Sequence, residues 1–154
     1  MKDKILDAFA ELGFILEEVD YGYSFNYEAT CMLWMVNEDD PSFFSMAVPV
    51  IAKIDGGNKE IMHDVMNKVN LTLKYVKCHT MGDNIWLFYE REIIGDEDLP
   101  LVISRMVIHL DNAKNFAHKS ILEALETDTD TDDEAVVDVE DVVEADADVD
   151  TDEE

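Results

Sequence analysis

A chain of 154 residues is long enough for one domain with a proper core and too short for two. Its 47% hydrophobic and 9% aromatic content is ordinary, whereas its formal net charge of -26 is far from average. An acidic surface repels phosphate backbones and anionic headgroups, which argues against direct binding to nucleic acid or a membrane.

The charge is unevenly placed. The segment from Thr127 to Glu154 carries 15 of the 37 acidic groups and none of the 11 basic ones, so the part before Thr127 holds 22 acids and 11 bases. Dense like charge without an aromatic residue or a helical apolar stripe cannot offset the entropy of ordering. Residues 1–126 are therefore expected to form a single domain and residues 127–154 a disordered acidic tail.

From Met1 to Leu12, Ile5, Leu6, Phe9 and Leu12 follow helical spacing, and Gly13 with Phe14 forms a C-terminal stop. Asp3, Asp7 and Glu11 interrupt that helix, so it is no signal-peptide core, and no later stretch has the apolar length of a membrane span. A cytoplasmic protein is expected. Tyr23, Phe25 and Tyr27 alternate with polar residues as in a strand with one buried face, and Ala29 and Thr30 leave room for a turn. Cys31 to Val36 is apolar without alternation, a strand covered on both sides. Phe43 to Ile51 is a third strand, which Pro49 places at a sheet edge or ends near Val48, because proline cannot donate to a ladder.

Ile61, Met62, Val65, Met66 and Val69 make the stripe of a second helix with Asn58 as its N-cap. Leu73 to His79 and Ile85 to Ile93 form a hairpin through Met81, Gly82, Asp83 and Asn84. Asp98 caps a last helix with Pro100 in its first turn and a stripe from Val102 to Leu125. The order α-β-β-β-α-β-β-α, with short links between strands, predicts an α+β fold: a largely antiparallel five-stranded sheet with helices packed on it.

The second helix running into MNKVNLTLKYVKC, then IWLFYEREI, then NAKNFAHKSI in the last helix, resembles the bacterial YbjN family over about residues 1–126. That family is described as sensory transduction regulators, with a domain similar to type III secretion chaperones. The resemblance implies a homodimer that holds a partner polypeptide. An unidentified client protein is its implied partner, and the acidic tail departs from the pattern.

No motif supplies chemistry. His63, His79, His109 and His118 have no HxxxH spacing, so no metal site is expected. Ser42, Ser45, Ser104 and Ser120 lack a GxSxG setting. Gly56 and Gly57 lie between a strand and a helix but lack the spacing of a phosphate loop, so a plain turn is expected and no cofactor. Asp128, Asp130 and Asp132 start like a calcium loop, but Asp133 stands where Gly is needed and Val139 where Glu is needed. Cys31 and Cys78 have no CxxC partner and are expected to be buried, inert thiols. The alternating VVDVEDVVEADADVD suits either transient docking or a solubility tail.

In the final hairpin Ile85, Leu87 and Tyr89 should face one way and Trp86 and Phe88 the other. Together with the methionine stripe this nominates Met62, Met66, Trp86 and Phe88 as protein-interface residues. The expected function is a non-enzymatic adaptor, chaperone-like or regulatory, acting as a homodimer. The alternative is an acidic electrostatic decoy for a basic nucleic-acid-binding protein.

Overall fold

The computed structural model describes the backbone of residues 1–146 and side-chain surroundings through residue 129. Its elements are α1 (Lys2–Glu11), β1 (Glu17–Val19), β2 (Gly22–Tyr27), β3 (Thr30–Met35), β4 (Phe43–Lys53), α2 (Lys59–Thr72), β5 (Val76–Met81), β6 (Asn84–Glu92) and α3 (Leu99–Asp146). The sheet has six strands in the order β1-β2-β3-β4-β6-β5, each pair antiparallel. The expected α+β architecture is present, with one more strand than the five expected. The added β1 is only three residues, Glu17 to Val19, and carries no alternation that a sequence pattern could register.

Local chemistry sets the element ends. Gly13 takes φ +79°, its N–H donates to the Ala10 carbonyl and the Phe14 N–H to the Phe9 carbonyl, the paired bonds that close a helix C-terminus. The Phe14 ring then packs 6.0 Å from that of Phe9. Gly22 starts β2 where a Cβ would lie 2.0 Å from the Trp34 carbonyl oxygen, so only glycine fits. The Asp98 carboxylate accepts from the Leu101 N–H at 3.1 Å and caps α3. Asn58 stands at the N-cap position of α2 but makes no cap bond through its side chain. Its amide instead ties the preceding turn, accepting from Asp55 N–H at 2.8 Å and donating to the Lys53 carbonyl at 3.1 Å.

The expectation for Pro49 is corrected. β4 lies inside the sheet, between β3 and β6. Its register with β6 shifts between Val48 and Ala52, and Val50 within that bulge takes φ +47°. The register with β3 covers only Ser45 to Ala47. A bulge leaves ladder positions empty, so proline's missing N–H costs no bond there. The ring of His118 on α3 reaches the same bulge, with Nε2 3.2 Å from the Ile51 carbonyl oxygen.

The three helices share one face of the sheet. Phe9 of α1 is fully buried, 5.0 Å from Phe25 and 5.5 Å from Trp34 between ring centres. Val65 and Val69 of α2 and Ile103, Met106 and Leu110 of α3 close over Met46, Val48, Ile85 and Leu87. The start of β3 is pinned to α3 by a polar cluster: the buried Thr30 hydroxyl donates to Asp111 at 2.9 Å, and Lys114 contacts both residues. The core ends at Ala124, and residues 125–129 are exposed. The boundary expected at Glu126 falls inside α3, whose backbone is helical through Asp146. Residues 147–154 of the expected tail lie outside the described residues.

Candidate protein-binding face

The second face of the sheet follows from strand alternation. Because neighbouring residues point to opposite sides, Phe44, Met46 and Val48 fill the helix-side core, while Ser45 and Ala47 face away. Leu33, Ala47 and Phe88 are adjacent in register across β3, β4 and β6. They form a second small cluster with Met35 and Trp86 packed against it, made of strand residues alone. No helix among the described residues contributes to it.

Aromatic rings give this face its shape. His79 stacks on Phe88 with ring centres 4.4 Å apart and 5° between planes, and Trp86 lies 5.9 Å from Phe88 at 16°. Such stacking buries Phe88 to 3% exposure although no helix among the described residues lies over it. The Trp86 indole Nε1 is shielded from water and has no hydrogen-bond partner among the described residues. A buried donor without an acceptor costs roughly 1–3 kcal/mol. Beside the apolar strip, Glu90 takes Lys77 at 2.8 Å and the Ser45 hydroxyl at 3.4 Å, so one cation and one anion cancel there.

The four nominated residues divide between the two sides of the sheet. Trp86 and Phe88 sit together on the open side, the opposite side from Ile85, Leu87 and Tyr89, as alternation requires. Met62 is 3% exposed and Met66 half-buried, both in the helix-side core. Met62 thus serves packing within the protomer, because the α2 stripe is taken up by the sheet and α3. His79 was not anticipated as part of the face. Its signal was the alternation of β5, which sends Val76 and Cys78 inward and His79 outward beside Trp86.

The remaining side chains of interest are dispersed. No group of three histidine, cysteine, aspartate or glutamate side chains converges among the described residues. Asp55 accepts from both Gly57 N–H and Asn58 N–H, so the turn's amides are engaged by the protein itself. Cys78 is buried and its thiol pushed up to about 12 by that burial, whereas Cys31, expected buried, is exposed. Cys31 lies at the start of β3, on the side away from the core. No helix among the described residues is long and apolar enough to cross a membrane.

No family model matches this chain, and no curated protein matches it. Among solved structures, the chain is similar to one described as "YbjN, a putative transcription regulator from E. coli", with a TM-score of 0.55 at 10% identity. The match covers 83% of this chain and 93% of that one. The chain therefore has a YbjN-like α+β fold. At that identity the likeness speaks for the fold and leaves function to the residues.

Proposed function

We propose that the chain is a non-enzymatic protein-binding adaptor, of the regulatory or chaperone-like kind, whose protomers pair through the helix-free face of the sheet. The observation that carries this reading is the apolar strip of Met35, Leu33, Ala47, Phe88 and Trp86, within which the indole N–H has no partner among the described residues. A second copy is the favoured occupant because the strip is apolar and the charge pair beside it is compensated. Lys77 and Glu90 offset one another there, while the rest of the domain is acidic and would repel its twin. The fold likeness to a protein described as a transcription regulator is consistent with this role.

The indole N–H signals of Trp34 and Trp86 give a test in solution. In a nitrogen-15 correlation spectrum followed over a dilution series, the Trp86 signal should move or broaden while that of the core residue Trp34 stays fixed. Two indole signals that are both independent of concentration, at the position of the monomer, would contradict pairing through this face.

A further inference from the structure

Both arginines of the chain, Arg91 and Arg105, line one cavity of about 380 Å³ on the helix side of the sheet, the side away from Trp86. Three elements build it. β6 supplies Tyr89 and Arg91, two residues apart and so on one face. α3 supplies Leu101, Arg105 and His109, spaced by four along one line of the helix. The segment before β5 supplies Tyr75, whose backbone is held at φ +70°, a conformation that bulky side chains rarely adopt.

The rings form one wall. Tyr75 stacks on Tyr89 at 5.7 Å with 14° between planes, and His109 lies 5.3 Å from Tyr75 and 6.0 Å from Tyr89. Tyr75 is nonetheless 64% exposed, so much of its ring is open to solvent.

The charges at the rim are unequal in their freedom. Glu97 accepts from the Ile94 N–H at 2.9 Å and pairs with Arg91 at 2.5 Å, and the backbone bond with that guanidinium holds its carboxyl below the usual range. Asp98 is used as the α3 cap. Arg105 makes no ion pair or hydrogen bond among the described residues. Arg91, Arg105 and Tyr89 line the cavity together, and burial raises the Tyr89 hydroxyl above its usual range against the pull of the two guanidinium charges. Glu97 is committed to Arg91 and Asp98 to the α3 cap, so the Arg105 guanidinium is the cavity's one cationic group that no protein anion engages among the described residues, and a fork of this kind suits an anionic ligand.

We propose that this cavity binds a small anion bearing a planar ring, of the nucleoside monophosphate or aromatic carboxylate kind. The anionic group meets Arg105, with Arg91 fixed behind it, and the ring lies against Tyr75 and His109. Ligand pockets span roughly 300–1,000 Å³. The cavity stands at the lower end of that range, which suits one ring with one anionic group and is too small for a dinucleotide.

Calorimetric titration of the full chain with the four common nucleoside monophosphates, with 4-hydroxybenzoate and indole-3-carboxylate, and with adenosine and inorganic phosphate separately, tests this. At least one ring-bearing anion should bind with a Kd of about 1 mM or tighter, and the half-molecules should bind more weakly. Which arm binds tells phosphate from carboxylate. Arg105→Ala should weaken that binding by about tenfold or more, and Arg105→Lys, which keeps charge but lacks the fork, should fall between. Arg105 is exposed and makes no ion pair among the described residues, so an unchanged melting temperature confirms that the variants are folded. Absence of binding by every ring-bearing anion at about 5 mM, or a loss below about threefold in Arg105→Ala, would overturn the proposal.

Discussion

The carboxamide of Asn70, in the last turn of α2, holds both backbone polar groups of Cys78 in the edge strand β5. Its Oδ1 accepts from the Cys78 N–H at 2.7 Å and its Nδ2 donates to the Cys78 carbonyl at 2.9 Å. The two-residue turn pairs Met81 with Asn84, so Cys78 opposite Leu87 is a position whose N–H and carbonyl point out of the sheet. Asn70 therefore acts as a one-residue substitute for a further strand. An open edge invites pairing with other chains, and here the helix closes part of it.

Asn70→Ala removes both bonds and leaves two part-buried backbone groups unmet. At about 0.5–1.5 kcal/mol for each bond, the loss should be about 1–3 kcal/mol, read as a lower urea midpoint at unchanged slope. A change under about 0.5 kcal/mol would show that water replaces the amide without cost.

The two thiols should differ sharply. A thiol reagent at neutral pH should modify exposed Cys31 alone, and Cys78 only after denaturation. Burial raises the Cys78 thiol from 9.0 to about 12, so the folded state favours the protonated form. That contribution is whole below 9.0 and is lost as pH rises toward 12. Between those values the native protein should lose stability more steeply than Cys78→Ala, measured by denaturant midpoints. Parallel curves for the two proteins would contradict the assignment.

Removing residues 127–154 should leave the melting temperature within a few degrees of the full chain. The core ends at Ala124 and residues 125–129 make no buried contact. A larger fall, of more than about five degrees, would mean that the acidic segment packs on the domain.

Much of the fold was legible because its signals are local. Gly13, Asp98, the Gly82 and Asp83 turn, and the alternation around Trp86 each report a backbone state through residue chemistry alone. β1 was not legible, since Glu17, Glu18 and Val19 form a strand only because β2 supplies the partner. Pro49 misled for a related reason: its meaning depends on a bulge that neighbours create. The open face was half legible. Trp86 and Phe88 could be placed on one side by counting, but Met62 could not be assigned to core or surface before α2 had a sheet to lie on. The arginine-lined cavity gave no sequence signal, because Tyr75, Arg91 and Arg105 come from three elements with unrelated spacing.

Pairing of protomers through Trp86 and Phe88, as proposed above, is tested most directly by mass. Light scattering coupled to size exclusion, at micromolar protein and raised salt, measures it on the full chain and on Trp86→Glu. The native chain should show twice the 17.6 kDa protomer mass, held or strengthened as salt screens the repulsion between acidic domains, and Trp86→Glu should show the single mass with an unchanged circular dichroism spectrum. A native chain that stays at 17.6 kDa at every salt concentration would contradict the account.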